Sequence, residues 1–171
     1  MKYLLLIFLT LSPLFADLTH IDSFEAEFTQ TVTDEKGKKL HYKGHIIASK
    51  PQYALWNYTQ PIEKKIYISL YRLTIVEPDL EQVITRNISN EFNFFKMLKN
   101  AKKLTNNKYE TTIEHIKYTI TLANNTISSI SYTDEFSNDI LITFMQQKTN
   151  QPIDKDLFIP KYPLDYDIIT S

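Results

Sequence analysis

Residues 41–61, HYKGHIIASKPQYALWNYTQP, decide the fold because they contain two strand patterns that meet at Lys50-Pro51. Side chains alternate between two faces in both halves, as they do along a β-strand. In the second half, Ala54, Trp56 and Tyr58 share one face. A large ring beside a small alanine suits a hollow as well as a packed core, so the pattern leaves both open. The residues that share a face in the first half are Leu40, Tyr42, Gly44, Ile46 and Ala48.

The amino terminus has the pattern of a secretory signal peptide. Met1-Lys2 is followed by an apolar run over residues 3–15 and by the small residue Ala16. A transmembrane helix needs roughly 20 apolar residues, so this run is too short. We therefore predict cleavage after Ala16, which removes residues 1–16 and leaves residues 17–171 as a single exported domain. The sequence has no cysteine, so the mature end cannot be acylated on a thiol.

Composition predicts one β-rich domain without a nucleic-acid partner. The formal net charge is −1, so the bulk charge does not favour a polyanion. Without cysteine, a domain of this length depends on its apolar core. Aromatic residues make up 13% of the chain and there are only two glycines, which indicates large side chains on a regular backbone.

Period-two alternation continues on both sides of residues 41–61. Upstream, a first strand places one set of side chains on a single face, and a polar turn at residues 34–38 follows it. Downstream, strand patterns occupy residues 65–70, 73–76, 80–85, 109–113, 116–122, 127–132 and 140–145. The tail, residues 157–169, is expected to cross or close the sheet. The residues that share the first strand's face are Phe24, Ala26, Phe28, Gln30 and Val32.

One segment breaks the strand pattern with helical spacing. Phe92, Phe95 and Leu98 recur at intervals of three, and Ser89-Asn90 is a candidate N-cap. We therefore predict a mainly β fold with a small α part. Its strongly curved antiparallel sheet forms an incomplete, half-open β-barrel, with the short helix against one face. That helix is either an ordinary core helix or a lid over the concave face.

Chemical motifs give no support for an enzyme. His41 and His45 share a strand face but lie roughly 13 Å apart, too far to share a metal ion. Glu25 and Glu27 are neighbours on a strand face, and a solvated outer face explains them without an acid/base role. The sequence contains no Gly-rich phosphate loop and no GxSxG or HExxH motif. We predict no catalytic residue, no metal and no cofactor.

Several blocks together resemble the LolA family of periplasmic lipoprotein carriers. The family pattern is SFxAxFTQxVTD, a distant glycine, RPxxxxWxxxQP, and a proline-containing turn followed by Glu-Gln. The match covers nearly the whole mature chain. The order and spacing of the first four blocks are specific, and the later strands match only in character. The matching blocks are SFEAEFTQTVTD at residues 23–34, Gly44, Lys50-Pro51, Trp56 with Thr59-Gln60-Pro61, and EPDLEQ at residues 77–82.

The resemblance implies a fold, a cargo and partners. It implies an apolar cavity for the acyl chains of outer-membrane lipoproteins, closed by a helical lid. Such carriers collect lipoproteins from an ABC-type exporter in the inner membrane. They deliver them through the periplasm of a Gram-negative bacterium to a receptor at the outer membrane, where one is present. The receptor family shares the fold but needs an N-terminal cysteine, so the resemblance favours the carrier, acting as a monomer.

Site residues carried over by position fall into three groups. The expected latch of the lid is Lys50, where the family has an arginine whose planar fork donates more hydrogen bonds. The expected apolar side of the lid is Phe94, Phe95, Met97 and Leu98. The expected cavity wall is Phe24, Ala26, Phe28, Ala54, Trp56 and Tyr58.

Two other functions remain compatible with the sequence. A periplasmic regulatory module of the same fold would sense a lipid or a peptide, although such sensors usually have a second domain. A secretion accessory that acts through protein contacts alone would need no hollow. Displacement of an apolar dye by fatty acid would separate the accessory from the other two functions.

Overall fold

The structure is a computed structural model that describes residues 18–88 and 93–170. The predicted signal peptide, Ser89-Asn90 and Phe92 lie outside the described residues. The helix α1 is Phe94–Asn100. The strands are β1 Ser23–Thr33, β2 Lys39–Ser49, β3 Tyr53–Gln60, β4 Lys64–Ile68, β5 Arg72–Glu77, β6 Gln82–Asn87, β7 Lys102–Lys103, β8 Lys108–Ile113, β9 Ile116–Ala123, β10 Thr126–Thr133, β11 Asp139–Thr149 and β12 Asp167–Thr170.

The strands form one sheet in the order β12-β6-β5-β4-β3-β2-β1-β11-β10-β9-β8-β7. The sheet curls strongly, since Tyr58 on β3 and Tyr132 on β10 line the same cavity although three strands separate them. Within the described ranges, β12 and β7 are the two edges and do not pair with each other. The sequence therefore correctly predicts an open, curved sheet, and also the positions of the strands upstream and downstream of residues 41–61.

The last strand corrects one expectation. Strand β12 runs parallel to β6, with Asp167 opposite Gln82, whereas we expected an antiparallel sheet throughout. The tail first crosses the outer face, where Phe158 stacks on Tyr53 with 5.5 Å between ring centroids. It then turns back along β6, where the Asp167 amide donates to the Glu81 carbonyl at 2.9 Å. The direction of this return makes the pair parallel.

Helix α1 begins with a different cap from the one we predicted. The side chain of Asn93 accepts a hydrogen bond from the Lys96 amide at 2.9 Å, so Asn93 is the N-cap. The helix contacts β8 and the short 3-10 turn at Leu18–His20. In residues 18–88 and 93–170, no helix is long and apolar enough to span a membrane.

The main core lies between the concave face of the sheet and α1. Alternate side chains of the central strands supply it, which is the arrangement that the period-two pattern predicts. A smaller apolar cluster on the outer face, formed by Tyr67, Val76 and Val83, packs against Tyr166 of the tail. The tail is therefore attached to the outer face of the sheet and leaves the concave face to α1.

Candidate functional site

A cavity of about 370 Å³ lies between the concave face and α1. It is mainly apolar. The apolar residues that line it are Ala54, Trp56, Ile66, Ile68, Leu73, Ile75, Phe94, Met97, Ile113, Ile130 and Ile142. The polar residues that line it are Gln30, Tyr58, Arg86, Asn93, Tyr118 and Tyr132.

A small side chain leaves part of the core under α1 unfilled. Ala54 on β3 lines the cavity, and it lies between Ala48 on β2 and Ile68 on β4. A larger residue at position 54 would fill part of this space.

The wall formed by Trp56 and Tyr58 is held in place from beneath. Phe28 contacts the edges of both rings, with centroid distances of 5.2 Å to Trp56 and 5.1 Å to Tyr58. Phe28 in turn lies directly on Gly44, where an added Cβ atom would meet the Phe28 ring at 2.6 Å and the backbone oxygen of Asn57. Glycine is therefore required at position 44 because two backbones and a ring meet there.

The expected cavity wall is divided between two layers. Ala54, Trp56 and Tyr58 line the cavity. Phe24, Ala26 and Phe28 are fully buried beside it and are not among the lining residues. Phe24 packs directly against α1, since its ring lies 5.3 Å from that of Phe94.

The four expected lid residues lie in three different environments. Phe94 and Met97 line the cavity. Phe95 faces a separate groove that Leu18 and Ile21 also line, and Leu98 is buried in the core with an exposed fraction of 1%. Helix α1 therefore both packs into the core and covers the hollow, which fits each of the two roles that we considered for it.

Lys50 reaches the segment next to α1 and has no hydrogen bond to the helix itself among the described residues. Its ammonium group contacts the Asp22 carboxylate at 2.6 Å and donates to the Thr19 carbonyl at 3.3 Å. The neighbouring Pro51 carbonyl accepts a hydrogen bond from the Asn93 side chain at 3.1 Å. The Lys50-Pro51 turn thus joins both the N-terminal turn and the start of α1.

Replacing Asn93 by alanine is expected to loosen α1 selectively. The substitution removes the helix cap and the bond to Pro51, which together stabilise the closed helix by about 1–2 kcal/mol. Amide exchange of the α1 residues should become about tenfold faster, as mass spectrometry of exchanged peptides can measure. Lys99→Ala, on the exposed side of the same helix, is the control and should leave exchange unchanged. Equal exchange in the two variants would mean that Asn93 does not hold α1 down.

A row of tyrosines lies at the end of the cavity away from α1. We call it the tyrosine row. It consists of Tyr42, Tyr58, Tyr132 and Tyr118, with rings 6.0 Å apart for the first pair and 4.7 Å apart for the last. Tyr58 also donates to Gln30 at 2.8 Å. Sequence analysis missed Tyr118 and Tyr132 as lining residues. It predicted strands at residues 109–113, 116–122 and 127–132 but gave them no part in the cavity wall.

Burial raises the pKa of three tyrosines that line the cavity, Tyr58, Tyr118 and Tyr132. Burial, together with the smaller effects of the neighbouring Tyr118 and Asp134, raises the pKa of Tyr132 to about 12. Burial also raises the pKa of Tyr58 and of Tyr118 above the usual value for a phenol. These hydroxyls therefore stay protonated near neutral pH and act as neutral hydrogen-bond donors.

Glu25 and Glu27 lie on the outer face, away from the cavity. His45 lies between them, with ring nitrogens 3.4 Å from Glu25 and 2.9 Å from Glu27, and Lys148 contacts Glu25 at 3.1 Å. All four side chains are partly exposed, so these ion pairs contribute at most about 1 kcal/mol each. No group of three residues suited to a metal ion occurs in the described parts of the chain.

The geometry suits a protein that holds an apolar ligand. The cavity is covered by α1 at one end, is apolar beneath it, and ends in neutral hydroxyl groups. Among its lining residues in the described ranges there is no carboxylate, histidine or serine that would make a general base or a nucleophile. The site can bury a chain of methylene groups and donate hydrogen bonds to a polar group at the end of that chain.

Comparisons with known proteins agree on one family. Residues 19–161 match the family described as "Outer membrane lipoprotein carrier protein LolA". An outer-membrane lipoprotein carrier protein from Campylobacter jejuni is 41% identical over 168 residues, which are 98% of each chain. One from Wolinella succinogenes is 35% identical over 81% of each chain. A solved LolA superfamily structure from Nitrosomonas europaea has a TM-score of 0.53 at 9% identity, covering 85% of this chain and 94% of its own.

Proposed function

Because the chain belongs to the LolA family of outer membrane lipoprotein carrier proteins, we propose that it carries lipoproteins by enclosing their acyl chains in the cavity under α1. The observation that supports this most is the apolar hollow between the concave face and the helix. Binding alone suffices for this function, and we propose no catalytic step.

The energy of acyl burial determines how such a carrier must release its cargo. Each methylene group removed from water contributes about 0.8 kcal/mol, so one chain of roughly 16 carbons contributes on the order of 10 kcal/mol. Release into water would therefore be very slow. Loading and delivery must instead occur by direct contact with a donor and an acceptor.

This requirement implies a donor and an acceptor, and the resemblance to the LolA family suggests their identity. We propose that an ABC-type exporter in the inner membrane supplies the lipoprotein and that a receptor at the outer membrane takes it, where one is present. The carrier then works in the periplasm of a Gram-negative cell, after residues 1–16 have been removed as a signal peptide.

A cargo with more than one acyl chain would require α1 to move. A cavity of roughly 150 Å³ holds one benzene molecule, which has six carbon atoms. At the same volume per carbon atom, the cavity of about 370 Å³ holds roughly 15 carbon atoms. This is about one long acyl chain. A cargo with more than one chain needs more space, and displacement of α1 from the sheet would provide it. On this proposal α1 is the lid.

Replacing Lys50 by leucine is expected to slow hand-over several-fold. The leucine cannot bond to Thr19 or Asp22, so the turn that packs against α1 loses its attachment and the lid favours the open form. The empty, closed form is then less favoured than the loaded form with α1 displaced. The loaded protein therefore keeps its cargo for longer. Transfer of a fluorescent triacylated peptide to acceptor vesicles measures the rate. Lys50→Arg keeps the charge and serves as the control. A rate for Lys50→Leu that matches the wild type would remove Lys50 from the mechanism.

The proposed function is tested by loading in vitro. Purified protein is mixed with a triacylated peptide dispersed in detergent, the detergent is removed, and the sample is separated by size. We expect the peptide to elute with the protein at one peptide per chain. The same peptide without acyl groups should elute alone. If the acylated peptide aggregates and the protein elutes empty, the proposed function is wrong.

A further inference from the structure

The cavity under α1 continues into a second, larger space. A groove of about 1430 Å³ lies beyond its far end. Four residues line both spaces, namely Arg86, Ile113, Tyr118 and Tyr132. The cavity therefore has an opening at this point, between β6 on one side and the β8–β10 strands on the other. This opening is distinct from the one that displacement of α1 would create.

The groups at the opening are hydrogen-bond donors. The Tyr118 and Tyr132 rings lie 4.7 Å apart on neighbouring strands, and Arg86 faces them from β6 as part of the same lining. A guanidinium group can only donate, and the two phenols are protonated near neutral pH and have their pKa raised further by burial. The end of the cavity beneath α1 is apolar, with Leu73 and Met97 in its lining. The cavity thus has one apolar end and one donor-rich end.

We propose that this opening binds the ester and amide carbonyl groups that join the acyl chains to the lipoprotein. The acyl chains then extend towards α1, and the peptide leaves through the groove. This inference rests on the proposed carrier function and deepens it by assigning the direction in which the cargo lies. Tyr118, Tyr132 and Arg86 are the binding residues for the carbonyl groups.

The charges of the groove favour a neutral acceptor over a phosphate group. Glu114, Asp134, Glu135 and Asp139 line it together with Lys39, Lys117 and Arg86. The carboxylates would repel an anionic headgroup, whereas ester and amide carbonyls carry no net charge and accept hydrogen bonds readily. A mixed, polar groove also suits an extended peptide of no particular charge.

The test compares a ligand that has ester and amide carbonyl groups with an apolar ligand that has none. A triacylated peptide and hexadecane each compete with an apolar dye for the cavity, and the dissociation constants are measured for wild type and for the Tyr118→Phe, Tyr132→Phe double variant. This variant keeps both rings. We expect about tenfold weaker binding of the peptide from two lost hydrogen bonds and no change for hexadecane. Arg86→Met should weaken the peptide further in the same selective manner.

Tyr42→Phe is the matched control. Tyr42 belongs to the tyrosine row but lines neither space, so both ligands should bind that variant as they bind wild type. Equal losses for the two ligands in the double variant would overturn the inference, since the hydroxyls would then only shape the wall. Unchanged peptide binding would also overturn it and would place the carbonyl groups elsewhere. If the wild type binds neither ligand, the proposed function itself fails.

Discussion

Replacing Ala54 by glutamate is expected to weaken the binding of acylated cargo at least about a hundredfold, which corresponds to roughly 2.7 kcal/mol. Ala54 lies under α1 with its methyl group at the apolar end of the cavity. A carboxylate there keeps water around itself or becomes protonated, and an acyl chain that enters must displace that water. Either way the ligand loses the apolar contact that binds it.

Two control variants separate charge from folding in this prediction. Thr59→Glu introduces the same group at an exposed position of the same strand and should leave binding intact. Ala54→Leu fills part of the cavity without a charge and should favour shorter acyl chains. Binding is measured with a fluorescent fatty-acid probe, and far-ultraviolet circular dichroism checks that each variant retains its sheet. Full binding by a folded Ala54→Glu protein would show that Ala54 does not face the ligand.

Replacing Gly44 by alanine is expected to lower the free energy of unfolding by about 3 kcal/mol or more. In most places this substitution is mild, because alanine also restricts the unfolded chain. Here the new methyl group would meet the Asn57 backbone oxygen and the Phe28 ring. The oxygen belongs to the paired strand and cannot move aside unless β2 and β3 separate.

The chain's other glycine provides the comparison. Gly37 has φ +77° and open space around its Cβ position, so Gly37→Ala costs only the backbone strain of about 1 kcal/mol. Urea denaturation followed by Trp56 fluorescence measures both variants. The Gly44 variant should also show a changed near-ultraviolet spectrum, because Phe28 packs against Trp56 and Tyr58. If the two glycine variants are equally stable, close packing at Gly44 is not what holds the cavity wall.

Much of the fold could be predicted because its strands are regular. Alternating side chains mark one buried face, and antiparallel neighbours in sequence become neighbours in the sheet. Strand β12 could not be predicted in this way, since its direction depends on how the tail crosses the outer face. The helix cap was misplaced for a similar reason. Asn93 is the cap because it also reaches the Pro51 carbonyl, a contact between residues far apart in sequence.

The site could be predicted only in part. Strand alternation places Phe28 and Trp56 on the same side of the sheet, but it does not show which of two packed rings lies nearer the hollow. Tyr132 and Tyr58 line the same cavity only because the sheet curls, and no local pattern in the sequence indicates that curvature. The contacts of Lys50 could not be predicted either. They join residues that are far apart in sequence and depend on the position of the turn at Leu18–His20.

The most direct test of the account is mass spectrometry of the protein purified from the periplasm under non-denaturing conditions. We predict a fraction of the protein with one acylated lipoprotein bound, and a loss of that fraction in the Ala54→Glu variant. Protein that contains only free fatty acid, or no lipid at all, would contradict the carrier function and would favour a lipid-sensing role for the same cavity.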